Sequence, residues 1–520
     1  MLMRFNTKRG GFAPPLRAAL LAAALALPVV GCDSLLEVDD EDVTRDENFA
    51  DLTSLTSLRA AAIGDFFVGY ENMIFYGGML GDEWIFSETF PTRLEVDKRA
   101  IDTNNGTLLG VFSSVATAGA SADFINARYD VVDPGNTAKF QRAEARNLAG
   151  YAFIFFAENY CEGVPISRLQ RTDAGALTFV YGPGLTREQM LDSALARFDA
   201  AIAALPATGR TANETVQARL AAIGRGRVFQ NKGQWANALA AVAGIPLTYT
   251  YVINHSANSG GENNIIWGFN RSTERMSVSY QPNSGGTAVA GDREGGNGLP
   301  WIANRAAQGH PLGPGVSTTS APRARDPRVL WFRNSGAATS TTPGNDVGFD
   351  NSTPQLDALK YPDRPAFTVL ASGVESRLIA AEAQLNLGNP QAMLDSLNVL
   401  RSQVQPLMQL LNYDYVNQQQ LVGYAPGQSA VLAPIAALPA TFAAQRDLFF
   451  EERAYWLWLT AHRLGDMRRL IRQYGRLEDQ VFPTGFHFKG GPYGDDVNLP
   501  IPIQEEANPT AIGQCINRNA

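Results

Sequence analysis

The chain has 520 residues and a formal net charge of -8, from 43 Lys and Arg against 51 Asp and Glu. An acidic chain lacks the basic face with which proteins neutralise phosphates, so this composition argues against a nucleic-acid binder. Hydrophobic residues make up 45% of the chain and charged residues only 18%, which supplies apolar material for a large core and excludes wholesale disorder.

The short motifs of common enzymes are missing from the sequence. Its three Cys and four His form no C-x-x-C and no H-E-x-x-H, and there is no Walker A loop, G-x-G-x-x-G or G-x-S-x-G. We therefore predict no metal centre, no cofactor and no catalytic residues. A glycan hydrolase with two carboxylates remains an alternative, because its two acids need no local signature.

The first 31 residues have the pattern of an export signal. Basic residues between Arg4 and Arg17 precede an apolar run over residues 18–30, which is too short to span a bilayer comfortably. The run ends at Gly31-Cys32, which resembles a bacterial lipobox. We predict cleavage before Cys32, acylation of this cysteine and attachment to a membrane through the lipid. An ordinary signal peptide with an unrelated cysteine nearby is the alternative.

An acidic segment follows the predicted lipidation site. Residues 32–50 are rich in Asp and Glu and are expected to form a solvated tether. The remaining residues, 51–520, are expected to form a single body.

Two stretches of this body carry helical patterns. In residues 138–160 the apolar positions recur at three and four residues, as on one face of an amphipathic helix. Residues 186–205 open with Thr186 and, three residues later, Gln189, which form a capping box. Residues 217–246 have the spacing of small and aromatic residues found in a tetratricopeptide helix pair. Helix pairs are thus predicted around 138–246.

A second set of helix pairs is predicted around 367–475. Residues 374–401 repeat the helix-turn-helix plan, and residues 442–475 contain a further amphipathic run. The charged groups in this region are better explained as ion pairs on the surface or between helices than as catalytic residues, because they recur at helical spacing. They are Glu382, Glu451-Glu452-Arg453, Arg463, Asp466, Arg468 and Arg469.

Residues 250–365 differ from their surroundings. They are rich in Gly, Ser, Asn, Thr and Pro, which predicts irregular loops with one or two short strands, for example at Ile265–Phe269. An insertion of this length is usually functional or disordered, and its Asp326-Pro327-Arg328 turn favours the ordered case. The predicted fold is mostly α: a tetratricopeptide-like helix-pair scaffold with a long irregular insertion.

These features together resemble the SusD/RagB family of outer-membrane nutrient-binding lipoproteins. The resemblance runs over nearly the whole of the mature sequence. Its motifs are the lipobox at Cys32, Ala143-Glu144-Ala145-Arg146, Val164-Pro165-Ile166, Asp326-Pro327-Arg328, Ala380-Ala381-Glu382-Ala383, Leu397-Asn398-Val399-Leu400-Arg401, Glu451-Glu452-Arg453, Arg463-Leu464-Gly465-Asp466-Met467-Arg468-Arg469 and Leu499-Pro500-Ile501-Pro502-Ile503.

The resemblance implies binding without catalysis. Members of the family lie on the cell surface as a lid over a SusC-like TonB-dependent transporter and hold oligosaccharides, or in some branches peptides, for import. Apart from the hydrolase, the alternative is a scaffold subunit of the transporter that binds no ligand.

A sugar site would combine aromatic platforms with polar edges in the irregular segments. Trp267 in the insertion and Trp235, Trp456 and Trp458 on helices are expected in the core, as large aromatics usually are. The same alternative, burial in the core, applies to each of the predicted aromatic platforms. The predicted platforms and polar partners are Trp84, Tyr280, Trp301, Asp82, Asn283 and Arg305.

The remaining cysteines depart from the family pattern. Cys161 follows Tyr160 where the family usually has Gly, and Cys515 lies in an unusual C-terminal tail. If Cys32 carries lipid, Cys161 and Cys515 are the only free thiols in an oxidising compartment. A disulfide between them and two unpaired thiols both remain open.

Overall fold

Helices dominate the computed structural model, which describes residues 49–171, 177–279, 326–333, 347–353, 355–421, 424–510 and 515–520. The first eight helices precede the predicted insertion. They are α1 (Leu55–Asn72), α2 (Gly78–Leu80), α3 (Pro91–Asp97), α4 (Gly106–Val132), α5 (Lys139–Asn159), α6 (Arg187–Ala203), α7 (Ala212–Asn231) and α8 (Trp235–Ala241). The others are α9 (Ile265–Trp267), α10 (Gly373–Asn386), α11 (Pro390–Ser402), α12 (Val404–Leu411), α13 (Tyr415–Leu421), α14 (Phe442–Trp456) and α15 (Arg463–Arg472).

The predicted helix pairs are confirmed. The capping box at Thr186 and Gln189 starts α6, and an equivalent box at Thr211 and Glu214 starts α7. Helices α7 and α8 cross closely because Gly226 has no side chain: a Cβ there would lie 2.5 Å from Val242 Cγ1. Helices α10 and α11 form the corresponding later pair. The fold is therefore mostly α and built on helix pairs.

Helices α1 and α4 extend this scaffold before the first predicted pair. Helix α1 packs against α4, and α4 packs against α5. Within the described ranges, α4 is the one helix whose length and composition would also suit a membrane span. In the structure its residues from Leu108 to Tyr129 include a buried face within the protein core.

Short antiparallel ribbons accompany the helices. Among the described residues each ribbon has two strands, so each strand there pairs with one partner. The pairs are β1 (Trp84–Phe86) with β7 (Met276–Val278), β2 (Val164–Pro165) with β5 (Gly184–Leu185), β3 (Arg168–Arg171) with β4 (Leu177–Val180), β6 (Thr250–Ile253) with β10 (Thr368–Ser372), and β8 (Trp331–Arg333) with β9 (Leu356–Ala358).

The strand predicted at Ile265–Phe269 is wrong. This segment forms α9 and then a π-helical turn, Gly268–Ser272. Asn264 favours the helix because its side-chain oxygen accepts a hydrogen bond from the Trp267 amide at 2.8 Å. Trp456 and Trp458 are buried, as expected.

Several of the predicted charged groups form buried ion pairs between helices. Arg469 of α15 donates to Glu382 of α10 at 2.5 Å and to Asp466 at 2.7 Å. Asp466 also accepts from Arg453 of α14 at 2.7 Å. Two arginines flanking Asp466 hold the pKa of its carboxyl well below the ordinary range, against the effect of burial. These ion pairs therefore stabilise the contacts among α10, α14 and α15.

A disulfide joins Cys161 to Cys515, which are 354 residues apart in sequence. It lies beside two hydrogen bonds between the segment after α5 and the C-terminal tail: Glu162 N donates to Asn517 O at 3.0 Å, and Ile516 N donates to Glu162 O at 2.7 Å. The sequence leaves open a disulfide or two unpaired thiols, and the structure contains the disulfide.

Candidate ligand-binding site

Two of the predicted ligand contacts are buried in the protein. Trp84 lies in β1 with none of its surface exposed, and Asp82 is equally buried. Both Asp82 carboxylate oxygens accept from Arg463, each at 2.6 Å. The expectation that Trp84 and Asp82 contact a ligand is therefore corrected, because neither presents a surface on which a ligand could bind.

The other predicted contacts, Tyr280, Asn283, Trp301 and Arg305, lie outside the described residues. The predicted lipidation site, Cys32, also lies outside them. These five assignments remain predictions.

An exposed group of aromatic and arginine side chains lies at one end of the β1–β7 ribbon. Phe90 is 49% exposed and Phe349 is 45% exposed. The Arg275 guanidinium carbon lies 4.2 Å from the centre of the Phe349 ring and 5.7 Å from that of Phe90. Arg93 lies 5.0 Å from the Phe90 ring centre. We call Phe90, Arg93, Arg275 and Phe349 the Phe90–Phe349 surface.

Glu88 fixes the two arginines of this surface. Its carboxylate is buried and accepts from Arg93 at 2.6 Å and from Arg275 at 2.8 Å. One buried carboxylate thus balances part of the charge of two partly exposed guanidinium groups and holds them against the rings. The Arg93 and Arg275 side chains are 17% and 24% exposed, and the Arg93 Nε atom is buried.

The backbone brings the two aromatic rings together. Ser87, directly after β1, donates its amide to Arg275 O at 3.2 Å, which continues the ribbon. The segment that carries Phe349 joins the same end, since Phe349 N donates to Glu274 O at 2.8 Å. Gly348 permits this approach: a Cβ there would lie 2.5 Å from the Cβ of Ser87.

Glu274 adds an ionisable group beside the surface. Burial, followed by the nearby charge of Asp357, raises the pKa of Glu274 to about 7. One oxygen of its carboxyl is buried without a hydrogen-bond partner among the described residues. Asp357 is fully buried, and burial raises its pKa to about 6. A neutral Glu274 carboxyl can donate a hydrogen bond that a carboxylate cannot.

This arrangement suits a ligand with apolar faces and polar edges. Phe90 and Phe349 are exposed aromatic side chains, and the arginines that lie against them carry hydrogen-bond donors. Nothing in the described part of the chain forms a cluster of three His, Cys, Asp or Glu side chains that could hold a metal ion. The aromatic rings and guanidinium groups therefore favour a ligand that combines apolar faces with hydrogen-bond acceptors.

The sequence gives no local signal for this surface. Phe90 precedes Pro91, and this proline indicates only the start of a helix. Phe349 lies in a Gly- and Asp-rich loop. Exposure of a Phe is decided by its tertiary neighbours, and here Arg275 lies 185 residues from Phe90 and 74 residues from Phe349 in sequence. Choosing Trp and Tyr residues as candidate ligand contacts therefore misses both Phe90 and Phe349.

Comparison with known proteins supplies relatives in fold. No family model and no curated protein matches the sequence. Solved structures do match: a SusD-like protein from Bacteroides fragilis NCTC 9343 is 12% identical with a TM-score of 0.58, covering 92% of this chain and 99% of its own. A SusD/RagB family protein from Bacteroides thetaiotaomicron VPI-5482 is 13% identical with a TM-score of 0.54, covering 81% and 89%.

The chain has the SusD-like fold. A SusD-like carbohydrate-binding protein from Bacteroides fragilis NCTC 9343 also shares it, at 16% identity and a TM-score of 0.51, over 89% of this chain and 99% of that one. The helical scaffold expected from the sequence resemblance is thereby confirmed. In this chain the Phe90–Phe349 surface is formed by the start of α3, the residue before β7 and the loop that carries Phe349.

Proposed function

We propose that this chain is a nutrient-binding protein that holds a carbohydrate, most simply an oligosaccharide, at the Phe90–Phe349 surface. The observation that carries the proposal is the pairing of two exposed rings with two arginines fixed by Glu88. Sugar rings have apolar faces that stack on aromatic rings and hydroxyls that accept from guanidinium groups. A solved structure with the same fold is a carbohydrate-binding protein, which supports this choice of ligand.

The cellular part of the proposal rests on the sequence. The lipobox at Cys32 supports a lipid anchor in the outer membrane, and the resemblance to SusD/RagB proteins supports delivery of the ligand to a SusC-like TonB-dependent transporter. Tyr280, Asn283, Trp301 and Arg305 are proposed as further contacts to the ligand. A peptide ligand, or a scaffold role without a ligand, is the alternative within the same assembly.

A glycan panel tests the proposal. Purified protein is titrated with oligosaccharides in a calorimeter, and each mixture is then analysed by chromatography for new products. We expect saturable binding of at least one glycan and recovery of that glycan unchanged. Saturable binding only of peptides would contradict the choice of ligand. The absence of any binding would favour the scaffold alternative.

The hydrolase alternative has one observation in its favour. Glu274 lies beside the surface, and a pKa of about 7 is suitable for a general acid. Its neighbour Asp357 is only 2% exposed, so this carboxylate of the described part of the chain is not open to a substrate as the second acid. Release of smaller glycans by the protein, abolished by Glu274→Gln, would establish hydrolysis and overturn the binding proposal.

A further inference from the structure

Three arginines that play no part in the Phe90–Phe349 surface lie on segments that meet near the end of helix α15. Arg468 and Arg472 are four residues apart on α15, so they lie on the same face of the helix. Arg187 is the first residue of α6. Arg468 is 2% exposed, and Arg472 and Arg187 are partly exposed.

The chain path explains why Arg187 lies near the other two. Arg468 Nη1 donates to Glu158 O at 2.7 Å and to Tyr160 O at 3.0 Å, at the end of α5. Strand β2 follows α5 closely and pairs with β5, and β5 leads through Thr186 into α6. The N-terminus of α6, with Arg187, is therefore held beside the end of α5 that Arg468 binds.

The positive charge of this cluster is poorly balanced. Arg187 is paired with Glu188 at 2.8 Å, but Glu188 is half exposed and also accepts from Lys232. Within the described ranges, neither Arg468 nor Arg472 has a carboxylate within ion-pair distance. The Nε atoms of all three arginines are buried and have no acceptor among the described residues.

Repulsion between these positive charges contributes to a lowered pKa of two of the arginines. Burial, and after it the charges of Arg187 and Arg468, lowers the pKa of Arg472 to about 8. Burial and Arg187 lower the pKa of Arg468 to about 10. Like charges and buried donors without acceptors both cost free energy, and a bound anion would relieve both costs together.

We propose that Arg187, Arg468 and Arg472 form a binding site for an oxyanion: a sulfate, phosphate or carboxylate group. Guanidinium groups suit such a ligand because their N–H groups match the spacing of its oxygen atoms. The N-terminus of α6 adds a favourable dipole for a negative charge. The anion could be a free inorganic ion or the acidic group of a larger molecule, and the site is independent of the proposed carbohydrate surface.

Thermal unfolding of the full chain tests the site with three probes: inorganic sulfate, inorganic phosphate and glucuronate, each compared with chloride at the same ionic strength. We expect a saturable rise in Tm with at least one probe. If only sulfate or phosphate acts, the ligand is a free inorganic anion; if glucuronate acts, it is the acidic group of a sugar. No specific rise with any of them would overturn the proposal.

Variants separate the site from general salt effects, because sulfate and phosphate stabilise most proteins to some degree. Arg472→Gln and Arg187→Gln are each expected to weaken the effective probe by about tenfold or more. In chloride, Arg472→Gln is expected to leave Tm unchanged or raise it, since repulsion is relieved.

Arg377→Gln changes a partly buried arginine on α10; it is the matched control and should keep the wild-type response. If Arg472→Gln lowered Tm by the same amount in chloride and in the probe, the role of Arg472 would be purely structural, and this would contradict the proposal.

Discussion

Replacing Arg469 by Met is expected to lower the free energy of unfolding by about 3–5 kcal/mol. The substitution removes the guanidinium that binds Glu382 and Asp466, and it leaves the fully buried Glu382 with less compensation for its charge. Met has a similar volume, so the loss reports the charge rather than a cavity. Chemical denaturation with urea, monitored by circular dichroism, measures it.

Arg225→Met is the matched control for this prediction. Arg225 pairs with Asp199 at 2.9 Å, but the two side chains are 33% and 53% exposed, far more than those of the buried network. Exposed pairs contribute about 0–1 kcal/mol, so we expect a small change. Equal losses for the two variants would show that the buried network holds α10, α14 and α15 together no more strongly than a surface pair does.

Removing the disulfide is the second change with a large expected effect. The double variant Cys161→Ala, Cys515→Ala should lose about 2–5 kcal/mol, because the bridge closes a loop of several hundred residues and restricts the unfolded chain. The double substitution avoids an unpaired thiol. Urea denaturation without reductant measures the loss.

Reductant supplies the control for the disulfide. Dithiothreitol should lower the stability of the wild-type protein towards that of the double variant, and it should leave the double variant unchanged. Equal stability of the wild type and the double variant without reductant would mean that the hydrogen bonds of the C-terminal tail to Glu162 suffice to hold it.

The helices were predictable because their signals are local. The capping box at Thr186 and Gln189 and the apolar spacing in residues 138–160 lie within a few turns of chain. The ribbons were not predictable in the same way. A strand such as Val164–Pro165 has two residues, and it exists because Gly184–Leu185 pairs with it. The Cys161–Cys515 bridge was one of two possibilities that composition alone could not separate.

The candidate site required tertiary information. Asp82 looked like a polar partner for a sugar, but its partner is Arg463, 381 residues away in sequence. Trp84 looked like a platform, but pairing of β1 with β7 buries it. Phe90 and Phe349 belong to one surface because Arg275 lies against both rings, and no periodicity in the sequence indicates that arrangement.

Comparison of Phe349→Ala with Phe124→Ala tests most directly whether the ligand binds at the Phe90–Phe349 surface. Phe124 lies on α4 and is 41% exposed, close to the 45% of Phe349, so the two variants remove similar surface. Calorimetric titration with the glycan found in the panel should show binding weakened about tenfold or more by Phe349→Ala, through loss of stacking, and unchanged by Phe124→Ala. Wild-type affinity in Phe349→Ala would place the ligand elsewhere on the protein.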